Sequence, residues 1–162
     1  MTLPVTSLTE SEINPALMVK AFFGPHHPLF SLCAIHVKAV KDGHGEMSMP
    51  FSDALADHRG ALHRGMMVTL LDTCCGLSIF SALKSMEPIA TIDLRVDYLA
   101  EIPPATGLTA IVDYVGRTDT SAFITGQAFA DGHTKPIATV AGSFAIGTMG
   151  PSFDKNLSEP KA

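Results

Sequence analysis

Apolar side chains recur along this chain with two periods, and the change from one to the other divides it. Thr9-Glu-Ser-Glu12 has the form of a capping box, and Ile13, Leu17, Met18, Ala21 and Phe22 follow at helical spacing, which predicts an N-terminal helix ended by Pro25 and Pro28. Leu32 to Lys41 and Gly45 to Phe51 read as two strands around the glycine-containing turn Asp42-Gly-His-Gly45. Residues 53–62 are polar and irregular. From His63 to about Met86 the chain is almost continuously apolar, which predicts one long helix that Pro88 cannot continue.

Beyond that helix the period becomes two. In Thr91-Ile-Asp-Leu-Arg-Val-Asp-Tyr98 the apolar residues Ile92, Leu94, Val96 and Tyr98 alternate with charges, as in a strand with one buried and one wet face. Leu108 to Val115, Ser121 to Ala130 and Pro136 to Ile146 follow at short spacing. Short links join antiparallel neighbours, so the expectation is a four-strand meander. The pieces assemble most simply as an α+β domain: a curved antiparallel sheet of about six strands wrapped around one central helix. A single domain is expected over residues 1–147, with a fraying tail at 148–162 rich in Pro, Ser and charge.

The long helix is apolar around most of its circumference and should be buried on nearly all sides. Thr69, Asp72, Thr73 and Gly76 fall at i, i+3, i+4 and i+7, a single narrow stripe. Asp72 is the anomaly. A carboxylate among aliphatic and sulfur side chains is costly unless it is hydrogen-bonded, paired or used in chemistry, so both a structural and a functional acid are open at this point. Gly65 to Leu83 is long enough to cross a bilayer, but Asp72 at its centre and the strands after it favour a core helix, so no membrane span is expected.

Composition narrows the function classes. Of 162 residues, 46% are hydrophobic and 17% charged, an apolar excess that a generous core or a partner subunit would absorb. A net charge of -5 and no Lys/Arg cluster argue against nucleic acid as a partner. Cys33, Cys74 and Cys75 lack metal-ligand spacing and read as reduced thiols in a cytoplasmic protein; no metal is expected. Cys74 and Cys75 have no basic neighbour in sequence to activate them. His26-His27, His44, His58 and His133 show no ligand spacing either.

Taken together, His63-Arg-Gly65, the helix segment Leu70-Leu-Asp72-Thr-Cys-Cys-Gly76, the strand Ala90 to Leu99, the turn Gly116-Arg117 and the final Ala141-Gly-Ser-Phe144 resemble the hotdog-fold acyl-CoA thioesterases, and within them the PaaI-like group. The resemblance covers roughly residues 30–147. It implies an acyl-CoA thioesterase, with CoA as part of the substrate and no further cofactor. It also implies a homodimer with shared sites, with a dimer of dimers as a larger form. An acid at the spacing of Asp72 from His63 is catalytic in that family, as general base or as nucleophile. The residue after the helix-opening histidine presents a backbone N–H to the thioester oxygen, here that of Arg64. His63 would orient the helix start, Asp57, Gly65, Thr73 and Gly76 would border the substrate, and Arg117 would either end a hairpin or approach the CoA arm.

Two positions depart from the family pattern. Arg64 replaces the glycine after the histidine, and Asp57 stands where many members carry Asn or Gln. Arg64 keeps its N–H, and its guanidinium is also a candidate partner for an acyl carboxylate or a CoA phosphate. Asp57 could face solvent, cap the helix or share a proton with another carboxylate. Arg64 and Asp72 lie eight residues apart, about 12 Å along a helix at 1.5 Å per residue. One thioester cannot touch both in the same chain. Met66, Met67, Phe80 and Leu83 read either as an acyl pocket or as core, and a non-catalytic acyl-CoA-binding protein is the alternative function.

Overall fold

The structure, a computed structural model, describes residues 28–85 and 87–148. Helix α1 (Pro28–Cys33) leads into strands β1 (His36–Lys41) and β2 (His44–Met49) and a 3-10 turn (Asp53–Leu55). The long helix α2 (Arg64–Leu83) follows, then β3 (Ile89–Tyr98), β4 (Leu108–Arg117), β5 (Ser121–Ala130) and β6 (Ala138–Ile146). The six strands form one antiparallel sheet in the order β1-β2-β4-β5-β6-β3, curved around α2. This is the hotdog architecture. The helix read at residues 9–22, and the tail beyond Thr148, lie outside the described residues.

Several boundaries move, each for a local reason. Pro28 begins a helix instead of ending one, since proline is tolerated in the first helical turn. Leu32 therefore sits in α1, and β1 starts only at His36, after Ala34 takes a positive φ of 48°. Helix α2 stops at Leu83, short of the expected Met86, because Lys84 turns left-handed (φ 52°) and its N–H closes on Phe80 O before Pro88 is reached.

The larger correction concerns the meander. Only β4, β5 and β6 follow one another in space, whereas β3 pairs with β6 at the far edge and β4 pairs with β2. Segment 99–107 runs along one end of the sheet, with the Leu99 and Ala100 N–H groups donating to Ile137 O and Ala105 N–H to Gly60 O. A connection of that length reaches past two strands, so the short-link rule did not apply there.

Alternation sets the core. Gly45, Met47 and Met49 of β2, Leu108, Ala110 and Val112 of β4, and Ala138, Val140, Phe144 and Ile146 of β6 are buried, packed with Leu70, Leu71, Cys74 and Leu77 of α2. Alanines 110, 122, 128 and 138 keep the inner face shallow, so a helix can lie close to it. Met67 and Phe80 are core residues, and Met66 and Leu83 pack partly buried against that core. By length and composition α2 could span a membrane, yet 67% of its most apolar window is buried in the fold.

One side of α2 is fastened to the β1–β2 turn. Asp42 and Gly43 have φ of 47° and 90°, the paired positive values of a tight hairpin turn. The Gly43 N–H donates to Ser81 Oγ at 2.8 Å, Ser78 Oγ donates to Gly43 O, and Ser81 Oγ donates back to Ser78 O at 3.0 Å. Next to it Gly45 lets the strand approach: a Cβ there would stand 3.3 Å from Cys74 O, while Cys74 Sγ donates to Gly45 O at 3.3 Å.

Candidate functional site

Two features define the opposite side of α2. The first is its start. His63 is the N-cap, and its Nδ1 accepts the Gly65 N–H at 3.0 Å. That bond uses the Gly65 donor. Among the described residues the N–H of Arg64, the first helical residue, meets no acceptor, and the positive end of the helix lies behind it. His63 thus caps the helix start, and among the described residues the donor left open there belongs to Arg64.

The second feature is the polar stripe. Thr73 Oγ1 donates to Thr69 O at 2.6 Å and Thr69 Oγ1 to Gly65 O at 2.9 Å, so both hydroxyls turn back along the helix. Asp72, on the same face, is half-buried instead of enclosed, and its Oδ1 accepts from Thr91 Oγ1 at 2.9 Å. Among the described residues its Oδ2 has no donor. Asp72, Thr73 and Gly76 line a cavity of about 190 Å³ whose remaining walls are Phe30, Ile89, Thr91 and Phe144. One ionisable group therefore faces a small space with both apolar and polar walls, oriented through one oxygen.

Phe30, Ile89, Thr91 and Phe144 carry no site role in the sequence reading. Thr91 falls on the outward phase of the period-two pattern. Its register with β6 shifts between Thr91 and Asp93, so the strict alternation breaks there, and Ile92, expected inward, is 61% exposed. A bulge has no period and leaves no such signal.

Asp57 does none of the three things open to it. It is half-buried, does not cap α2, and does not share a proton. Its Oδ1 accepts the Arg59 N–H at 2.8 Å, and its Oδ2 accepts Arg59 Nε at 3.1 Å and Nη2 at 2.9 Å. The side-chain and backbone hydrogen bonds from Arg59 hold its carboxyl at about 2, so it is ionised. Arg59 in turn meets Glu101 through Nη1, and Arg64 Nη2 donates to Glu101 Oε1 at 2.9 Å, its guanidinium lying 4.9 Å from the centre of the Tyr98 ring. Glu101 is likewise held below the usual carboxylate range, chiefly by Arg59. The guanidinium that is a candidate partner for an acyl carboxylate or a CoA phosphate is paired with Glu101. Asp57, His58, Arg59, His63 and Arg64 border a groove of about 450 Å³ in front of the helix.

Arg117 ends β4, exposed, with its Nε donating to Thr118 O at 3.1 Å, as in a hairpin terminus. It shares one cross-sheet row with Ala122, Phe144 and Thr91, three strand spacings or about 14 Å from Thr91. Cys74 and Cys75 are buried, and burial raises the Cys74 thiol to about 12 and the Cys75 thiol further, so neither is a nucleophile. Among the described residues no group of three or more His, Cys, Asp or Glu could hold a metal.

Known proteins share this arrangement of chain. The family described as the thioesterase superfamily matches residues 59–137. A provisionally named esterase of Halobacterium salinarum is 34% identical over 131 residues, spanning 74% of this chain and 85% of that protein. A thioesterase family protein from Silicibacter pomeroyi superposes with a TM-score of 0.70 at 26% identity, over 82% of this chain and 98% of its own. The Escherichia coli PaaI protein of the phenylacetic acid degradation operon gives 0.70 at 14% identity, over 82% and 93%, a likeness of fold alone. Membership supports a hydrolase of esters or thioesters. The chain belongs to the thioesterase superfamily and carries its hotdog fold.

Proposed function

We propose that the protein is an acyl-CoA thioesterase that works as a homodimer, each site combining the Arg64 N–H of one chain with the Asp72 carboxylate of the other. The observation that carries this reading is that both groups lie on one unbroken helix, Arg64 at its first position and Asp72 two turns on. Eight residues of helix separate them by about 12 Å, too far for one carbonyl. A second copy removes the difficulty. Strand β3 supports such a pairing: it is a long edge strand, and Ile92, Tyr98 and the adjacent Leu99 are 61%, 41% and 57% exposed.

In this reading the Arg64 N–H and the helix dipole polarise the thioester carbonyl and take up the charge that develops on its oxygen. Asp72, held at Oδ1 by Thr91, uses Oδ2 either to deprotonate an attacking water or to attack the carbon and form a mixed anhydride. In either route the C–S bond breaks and CoA leaves as a thiolate that takes up a proton, from the protonated Asp72 where water attacks; in the anhydride route a water then hydrolyses the anhydride, releasing the acid and restoring the Asp72 carboxylate. The cavity beside Asp72 receives the acyl group, and Arg117 stands within reach of the CoA arm. The reaction takes no cofactor, and the three free thiols fit the cytoplasm.

The test is CoA release from a panel of acyl-CoAs by wild type and by Asp72→Asn. Wild type turns over at least one member, and the variant, folded with an unchanged melting profile, loses roughly 100- to 10,000-fold in kcat. Equal rates would remove Asp72 from the reaction. Binding of acyl-CoA with no turnover would install the non-catalytic alternative.

A further inference from the structure

Arg64, one of the two departures from the family pattern, is braced by Glu101 and Tyr98. Side chains on a helix tilt toward its N-terminus, so an arginine at the first position of α2 is directed at the space a carbonyl must enter to meet the first N–H. An unheld guanidinium there would sweep that space with several rotatable bonds and five donors. In the structure it does not. Tyr98 lies beneath it at 4.9 Å, and Glu101, from the segment after β3, accepts Nη2 at 2.9 Å. Glu101 also receives Arg59, which Asp57 holds by a fork of two bonds at 3.1 and 2.9 Å. Charges thus alternate from the pre-helix loop to the helix start: Asp57, Arg59, Glu101, Arg64.

We propose that Glu101 is a positioning residue for hydrolysis, acting through Arg64: its carboxylate parks the guanidinium over Tyr98 and keeps the Arg64 N–H open to the thioester. The inference rests on the Arg64 N–H being the oxyanion donor. It also gives Asp57 a task. An amide at that position could not supply the paired anionic oxygens that fix Arg59, and Arg59 is the second support of Glu101. A glycine after the histidine needs neither brace; an arginine needs both.

The experiment is a double-mutant cycle on the full-length protein: wild type, Glu101→Gln, Arg64→Gly and the double variant, each measured for kcat and KM, with Glu101→Asp as the conservative control. Glu101→Gln is expected to lower kcat about tenfold with KM changed less than threefold, and Glu101→Asp to recover most of the loss. In the Arg64→Gly background, with no guanidinium to park, Glu101→Gln is expected to change kcat less than twofold. An equal tenfold loss in both backgrounds, or none in either, overturns the proposal. A merely structural Glu101 would lower the melting temperature in both backgrounds and leave the kcat of folded enzyme alone. If wild type hydrolyses no thioester, the hydrolase reading fails separately. The same cycle is then read from the Kd of a 2-oxoalkyl-CoA, a ketone that keeps the carbonyl oxygen but cannot be hydrolysed, where Glu101→Gln weakens binding only with Arg64 present; weakening in both backgrounds, or in neither, again overturns the positioning role.

Discussion

The two polar sides of helix α2 are built from similar residues and behave in opposite ways. On the side facing the β1–β2 turn, Ser78 and Ser81 are fully buried and every hydroxyl meets Gly43 or its own helix. On the side facing β3, Thr69 and Thr73 satisfy themselves within the helix, and Asp72 has a partner for one oxygen only. A closed set of hydrogen bonds holds a fold together because nothing in it has a better use. A set left with one acceptor to spare at the wall of a cavity has chemistry to offer. Buried polar groups on a helix are therefore separated into scaffold and site by their unspent valence, and less by their depth.

Three measurements can break that contrast. The largest effect is expected on the closed side: Ser78→Ala removes the buried hydroxyl donor to Gly43 O, which keeps the Tyr114 N–H, and lowers unfolding free energy by about 1–1.5 kcal/mol, read by denaturant titration. The kcat of the folded protein should not change. On the open side the pattern reverses. Thr91→Val keeps the strand shape but frees Asp72, and about a three- to tenfold fall in kcat is expected, a bond to a partly exposed carboxylate being worth roughly 1 kcal/mol; the midpoint of unfolding should hardly move. If Thr91→Val unfolds the protein while Ser78→Ala slows turnover, the assignment of the two sides is inverted.

The smallest effect concerns pH. The folded protein holds Asp57 at about 2, below an unfolded carboxylate near 4, so its ionised form adds stability above that unfolded value and loses it as pH falls toward about 2. The melting-temperature gap between wild type and Asp57→Asn should be open at neutral pH and close as acid is added. A gap constant with pH would mean that the carboxylate charge is not what Arg59 needs.

Much of the fold was legible because burial writes itself into period. The long apolar run gave α2, the period-two segments gave the strands, and Asp72 stood out against its neighbours. What was not legible depends on contacts made across the chain. Pairing of β3 with β6 instead of β4 depends on the course of segment 99–107, which has no periodic signature. The bulge that disturbs β3 at Thr91 is a defect of register, invisible in hydropathy. Arg64 and Asp57 were conspicuous as departures, yet the residue that explains both, Glu101, sits in a loop 37 positions from Arg64. Helix geometry alone, by contrast, separates the Arg64 N–H from Asp72, because 1.5 Å per residue holds in any context.

The chain contains no tryptophan and two tyrosines. Tyr98 lies under the Arg64 guanidinium, and Tyr114 packs on the Gly43 turn, which would place a Cβ on that glycine 3.0 Å from Tyr114 Cβ. Each side of α2 therefore carries its own chromophore. Ultraviolet emission from the unmodified protein is a sum of two reporters, one for the scaffold and one for the mouth of the site, and replacing either tyrosine by phenylalanine isolates the other.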